Sequence, residues 1–349
     1  MNDVIANRAL GWVPAFLIAA VLGGPAPGAW AARTFIDIYS PGARKIRLAI
    51  PELRPLEGRR DPVGLQIAQV VQEDLARTGL FFVQDRKSYP ENPLQAGIRL
   101  EEQKFPEWLN VVKVEALIKG GYTLSGDSIV AEMFLYDTAR SAQELGKRYQ
   151  YPRSSWRLMA HRFANAVLER FTGEKGVFDT QIAFVSRRSD TERGEIYIMD
   201  WDGADLRRVT RNGMGNNAPS WSPDGRWLAY SSDESGAFEV YVRAFPGPGP
   251  RYPVSSGGGL APRWNPRGGE LFYLARDSLI AVPVRSTGTA LELGRGTALF
   301  SNRFAPLNFH APYDVAPDGS WFVFTGTAST EFSSGFRMVL NWFDQPWKQ

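Results

Sequence analysis

Cysteine is absent from the chain, which excludes a disulfide framework, a thiolate metal site and a cysteine nucleophile. Histidine occurs twice, as His161 and His310, far apart in sequence, and a histidine-rich zinc or iron centre is excluded with it. Charge of one sign is equally scarce: 40 basic residues face 37 acidic ones for a net +3, and no run of five like charges occurs. The basic stripe of a nucleic-acid binder is missing, and no nucleic-acid partner is expected. The sequence also lacks a G-x-S-x-G elbow, a P-loop, a complete dinucleotide fingerprint, kinase motifs, H-E-x-x-H and an EF-hand loop. No catalytic, cofactor-binding or metal-ligating residue is assigned, and an enzyme is the least supported reading.

What is abundant points to strands. Of 349 residues, 44% are hydrophobic and 13% aromatic, and 34 Gly and 24 Pro punctuate them. That mixture suits short strands joined by tight turns, and the length suits two domains.

Residues 1–31 read as a cleaved secretory signal. Asn7-Arg8 begins it, an apolar stretch from Leu10 to Leu22 follows, and Ala29-Trp30-Ala31 places small residues at −3 and −1. The apolar stretch is short for a membrane span, and without a following cysteine no lipid anchor is expected. The mature chain then starts at Ala32.

Residues 32–173 alternate strand and helix, as an α/β domain does. A strand is expected at Ile46-Arg47-Leu48-Ala49-Ile50. Asp61 as cap and Pro62 in the first turn open a helix, with Val63, Ile67, Val70, Val71 and Leu75 on its core face and Gly79 beyond its end. Leu80 to Val83 reads as the next strand, and Pro106 to Leu109 as a short helix. Around Ser125-Gly126-Asp127 the period of two predicts a hairpin, and residues 146–151 suggest a third strand. Ser154 or Ser155 is expected to cap a last helix, with Trp156, Met159, Phe163, Val167 and Phe171 on one face and Gly173 as its stop. His161, near that face, reads as a partly buried structural histidine.

Residues 174–349 lose the helical period and gain a repeat. Trp221-Ser222-Pro223-Asp224-Gly225, Trp264-Asn265-Pro266-Arg267-Gly268 and Val315-Ala316-Pro317-Asp318-Gly319 each precede an apolar strand, at intervals of about 43 and 50 residues. This is the spacing of four-stranded propeller blades. About four blades of WD-like repeat are recognisable, and Met338 to Phe343 is expected to help close the ring. Trp221 and Trp264 are expected between blades, and Glu195-Ile196-Tyr197-Ile198 echoes Glu239-Val240-Tyr241-Val242. The fold class is therefore an α/β N-terminal domain followed by an all-β propeller. The loops entering each innermost strand hold Asn216 and Asn217, Gly258 and Gly259, and His310. These are the candidate contacts at the propeller mouth. The mature start, Ala32-Arg33-Thr34-Phe35-Ile36-Asp37-Ile38, is apolar and β-prone, and it reads equally as a strand of the first domain or as a strand that adds to a partner's sheet edge.

Several of these segments resemble the TolB family, the soluble periplasmic component of the Tol–Pal system. They are Asp74-Leu75-Ala76-Arg77-Thr78-Gly79-Leu80-Phe81, the helix over 156–171, and the junction Thr172-Gly173-Glu174-Lys175-Gly176-Val177-Phe178-Asp179-Thr180-Gln181. The resemblance implies a non-enzymatic periplasmic adaptor supporting outer-membrane integrity during cell division. It implies that Arg33, Thr34, Phe35, Ile36 and Asp37 bind a TolA-like inner-membrane protein. It implies that the mouth, through Asn216, Asn217, Gly259 and His310, binds a Pal-like lipoprotein. The family's propeller has six blades, more than are recognisable here. From Glu239 onward the sequence also resembles the propellers attached to bacterial serine/threonine kinases, at residues 240–247 and 340–343. The alternative reading is a divergent secreted propeller that senses another envelope partner or a small ligand. A monomer is expected.

Overall fold

A computed structural model describes residues 44–187, 193–247, 249–276, 278–287, 290–301 and 312–325, with the backbone of 338–339. Residues 1–31, expected to be a signal, and Arg33, Thr34, Phe35, Ile36, Asp37 and His310 lie outside the described residues.

The first half is one mixed sheet. Strand β1 (Ile46–Ala49), β2 (Arg54–Pro55), β3 (Phe81–Val83), β4 (Ala116–Ser125), β5 (Ser128–Asp137) and β6 (Ala142–Pro152) are arranged β3-β1-β4-β5-β6, with β2 beside β4. The β1 pairings with β3 and β4 are parallel, whereas β4, β5 and β6 form an antiparallel meander. Helix α1 (Val63–Arg77) and helix α2 (Trp156–Thr172) cover one face, where Ile67, Val71, Leu75, Met159, Phe163 and Val167 pack on Leu48, Ile118 and Met133. The segment between β3 and β4 covers the other face with Phe105 and Trp108 against Leu117 and Tyr136.

Local chemistry explains the helix ends. The Asp61 carboxylate accepts the Val63 N–H at 3.0 Å, so Asp61 caps α1 as expected, and Gly79 turns the chain away at φ +75°. Gly64 lets α1 approach the backbone of Leu53: a Cβ there would lie 2.3 Å from the Leu53 carbonyl oxygen. Gly173 ends α2 with φ +78°. Two expectations change. Ser155 stands at the start of α2 without a side-chain capping bond, because its backbone continues a turn of 3-10 helix over Arg153–Ser155. The short helix at Pro106 is a π-helix, Glu107–Val112, closed by Lys113 at φ +62°.

The second half is a row of antiparallel sheets. The first holds β7 (Gln181–Ser186), β8 (Glu195–Asp200) and β9 (Arg207–Arg208). The second holds β10 (Asn216–Trp221), β11 (Trp227–Ser232), β12 (Glu239–Ala244) and β13 (Arg251–Pro253). The third holds β14 (Leu260–Trp264), β15 (Glu270–Leu274), β16 (Ser278–Ser286), β17 (Leu291–Leu293) and β18 (Thr297–Ser301). The fourth holds β19 (Tyr313–Val315), β20 (Phe322–Phe324) and β21 (Met338–Val339), so the described part of the final strand pairs with β20.

Apolar layers join successive sheets. Ile196 and Ile198 meet Leu228 and Tyr241, Trp227 and Val242 meet Trp264 and Leu271, and Phe272 and Leu279 meet Tyr313 and Phe322. Trp264 is buried between the second and third sheets and donates its indole N–H to the Ser220 carbonyl at 3.1 Å. Trp221 is only half-buried and packs edge-on against Phe245. The Pro-Asp-Gly turns follow their chemistry: Asp224 accepts the Arg226 N–H at 3.1 Å and Gly225 takes φ +69°.

Candidate functional site at the loop face

Antiparallel order sorts the connections into two ends. The connectors into β10 and β14 leave one end, together with the β7–β8 and β11–β12 loops. The β8–β9 turn and the Pro-Asp-Gly turns lie at the other end, where Trp201 and Asp202 touch the α/β half. Asn216, Asn217 and Gly259 therefore stand at the end away from the α/β half.

A repeated buried glutamate builds that loop face. Glu195 opens β8 and Glu239 opens β12, and both are buried. Glu195 accepts the Thr210 hydroxyl, the Gly213 N–H at 3.0 Å and Arg208 at 2.7 Å. Glu239 accepts the Ser255 hydroxyl and the N–H groups of Gly257 and Gly258 at 2.7 and 2.8 Å. The same hydroxyls accept backbone N–H groups, Thr210 from Ile196 at 2.9 Å and Ser255 from Val240 at 2.7 Å. Each glutamate thus ties the connector that follows β9 or β13 to the start of the neighbouring strand, β8 or β12. Burial opposes the charge on Glu195, but bonds from Thr210, Arg208 and Gly213 outweigh it and hold its carboxyl below the usual range.

The connectors then enter the inner strands in one geometry. Asn216 donates its backbone N–H to Gly194 at 2.9 Å, and Gly259 donates to Phe238 at 2.8 Å. Two residues further on, Ala218 and Ala261 take φ +49° and +51°, and both strands carry a register shift there. A positive φ is costly for alanine, so each bulge is a strained point beside the mouth.

The sequence-derived residues fall unevenly in this frame. Asn216 and Gly259 are structurally equivalent, as their places in the repeat imply. Asn216 is not a loop residue: it begins β10, is fully buried, and its amide donates to the carbonyls of Gly194 and Met214. Its role in this arrangement is to hold the 212–216 connector. Asn217 is buried at 8% exposure, and Gly259 is closely backed by Ser255 and Val240. The outermost apolar group on this connector is Met214, 37% exposed.

Beside the connector lies a cavity of about 540 Å³ edged by Arg208, Arg211, Arg243, Arg251, Tyr230 and Glu234. Burial pushes the Tyr230 phenol up, while Arg243 and Arg251 pull it back. The loop face thus offers peptide groups, guanidinium groups and one exposed thioether. That inventory suits recognition of a protein surface by hydrogen bonds and charge.

Two profile matches decide the family. The TolB amino-terminal domain matches residues 34–144, and the TolB beta propeller domain matches residues 168–330. The chain belongs to the TolB family. Curated relatives agree: it is 33% identical over 210 residues to the Tol-Pal system protein TolB of Desulfosudis oleivorans, covering 60% of this chain and 47% of that one. It is 36% identical over 193 residues to the protein of the same name from Geobacter sulfurreducens, covering 55% and 43%. The chain spans about half the length of these curated relatives. The crystal structure of TolB from Acinetobacter baumannii superposes with a TM-score of 0.60 at 19% identity, over 84% of this chain and 79% of that one, which shows the fold. The four sheets are accordingly blades of a TolB propeller, and β1–β5 with α1 lie within the match to the TolB amino-terminal domain.

Sequence reasoning missed the two glutamates as a device, although the echo of residues 195–198 in 239–242 carried the signal. It also missed a buried cluster at the junction of the halves. His161 Nδ1 lies 2.6 Å from Asp74, and Asp202 lies on the other side of the ring. Asp74, His161 and Asp202 are the group among the described residues whose ligand atoms gather closely, within 4.8 Å. Arg157 already pairs with Asp202, and the Asp74 oxygens serve His161 and Trp201. The other Asp202 oxygen accepts the Ala204 N–H, which leaves a cation one unengaged ligand atom, His161 Nε2, so the cluster fits a metal poorly.

Proposed function

We propose that this chain is a non-enzymatic adaptor of the Tol–Pal system, exported to the periplasm by a cleaved signal. It joins a TolA-like inner-membrane protein to a Pal-like, peptidoglycan-associated lipoprotein and supports outer-membrane integrity during cell division. The observation that carries this reading is the pair of TolB domain matches in one chain, supported by relatives named as Tol-Pal system proteins. Among the described residues no helix is long and apolar enough to cross a membrane.

In this reading Arg33, Thr34, Phe35, Ile36 and Asp37 pair with TolA as an added strand. The loop face receives Pal, with Asn216 fixing the connector and Asn217, Gly259 and His310 around the contact. Pal shifts the balance between a docked and a free N-terminal segment to the extent that it binds the two states differently. Deleting residues 32–38 is the test. Binding to a soluble TolA domain is expected to vanish while circular dichroism stays unchanged; retained binding contradicts the assignment.

A second reading rests on the likeness of residues 240–247 and 340–343 to other bacterial propellers, in which case the propeller would bind another envelope protein or a small ligand.

A further inference from the structure

The junction between the two halves contains a buried histidine with one ring nitrogen bonded and the other bare. His161, on α2, is 2% exposed, Asp74 on α1 is fully buried, and Asp202 in the β8–β9 turn is 3% exposed. A carboxylate only accepts, so the 2.6 Å contact places a proton on Nδ1, shared with Asp74. Nε2 has no hydrogen-bond partner and points at Asp202 Oδ2, 3.7 Å away. Two acceptors then face each other across the junction.

The groups around the ring can be named from every side. The α1 side supplies Asp74, with Arg77 stacked over the Trp201 ring. The α2 side supplies Arg157, which pairs with Asp202. The propeller side supplies Asp202, whose other oxygen accepts the Ala204 N–H at 3.0 Å, and Trp201, whose indole N–H donates to Asp74 at 3.1 Å. With His161 neutral, the nearest charges are two carboxylates and one guanidinium. One more proton balances them.

We propose that His161 is a proton-operated latch between the two halves of the chain. With one proton it is bonded only to Asp74, within its own half. A second proton converts Nε2 from an acceptor into a donor aimed at Asp202, adding a charge-assisted bond across the junction. The proton comes from solvent and returns to it; no other bond changes. The contacts of Trp201 and Arg157 hold the halves together in both states, and the latch sets how tightly.

This makes the junction itself a regulated element, independent of the partner assignments above. Burial lifts the Asp74 carboxyl above its usual range despite the bonds from His161 and Trp201. Asp202 is held low, because the Ala204 N–H and Arg157 outweigh the effect of burial. The propeller-side acceptor therefore stays charged through the interval in which histidine side chains titrate.

The test uses the Trp201 indole N–H, which bridges the two halves and exchanges with solvent only when they part. Its exchange is followed by nuclear magnetic resonance on the full chain, corrected for the intrinsic rate, with Trp201→Phe identifying the signal. Protection is expected to be about tenfold greater near pH 5.5 than near pH 8, the size of one charge-assisted bond. In His161→Gln the two values should coincide. If that variant fails to fold, Asp202→Asn, which removes the accepting charge from the propeller side, should abolish the difference as well. Equal protection at both pH values in the unaltered chain overturns the latch. So does a pH dependence that survives in either folded variant, because it would then belong to another group.

Discussion

Glu195 and Glu239 are the same residue of one repeat. Each opens the last strand but one of its sheet, and each accepts a hydroxyl and at least one backbone N–H from the connector that leads to the next blade. The loop face is organised from inside by these two buried charges.

Removing such a charge leaves its donors unpaired. Glu239→Ala strands the Gly257 and Gly258 N–H groups and the Ser255 hydroxyl, and should cost about 2–4 kcal/mol. Glu239→Gln keeps an acceptor and should cost less than half as much. Urea unfolding followed by circular dichroism measures both.

Acid should weaken the fold through Glu195 and Asp202. Both have folded-state pKa values below their usual range. A depressed carboxyl contributes stability that is complete above its unfolded pKa, about 4, and is lost as pH falls through the lower folded value. Asp74 is raised and acts in the opposite sense: its contribution is complete at low pH and is lost as pH rises through its folded value. The urea midpoint of Glu195→Gln should therefore fall less steeply than that of the unaltered chain between about pH 5 and pH 3. Parallel curves would remove Glu195 from this account.

The bulges at Ala218 and Ala261 require positive φ. Ala261→Gly should stay within about 0.5 kcal/mol, because relief of strain offsets the greater freedom of the unfolded chain. Ala261→Val should cost about 2 kcal/mol or more, since a β-branched residue is poorly tolerated there. Thermal unfolding of the two variants gives the comparison.

Much of the α/β half was legible because its signals are local. Asp61 and Gly79 bracket α1, and Gly126 makes the β4–β5 turn at φ +56°. The junction string beginning at Thr172 also has a local reason: a Cβ on Gly176 would lie 2.1 Å from the Asn165 side-chain oxygen, which accepts the Phe178 N–H at 3.0 Å. The repeat in the second half revealed its blades because each turn and each buried strand recurs. The burial of Asn216 was not legible, since the donors and acceptors that surround it come from Gly194, Asn212 and Met214 at once. The cluster of Asp74, His161 and Asp202 was invisible for the same reason, its members being 87 and 41 positions apart. A lone histidine on a helix says nothing of a carboxylate delivered by another domain.

Close packing at Gly176 gives a further outcome. Gly176→Ala should displace Asn165 and cost about 2 kcal/mol or more, and it should loosen the junction without touching the loop face. Unfolding and partner binding, measured on the same sample, separate the two effects.

Pal binding at the propeller loop face, as proposed here, is read out by calorimetric titration of residues 32–349 with the soluble domain of a Pal-like lipoprotein from the same genome. Micromolar or tighter binding is expected, weakened about tenfold or more by Met214→Glu, which sets a charge on the exposed part of the connector. No detectable binding by a chain shown to be folded by circular dichroism would contradict the claim and leave the propeller to the alternative partner.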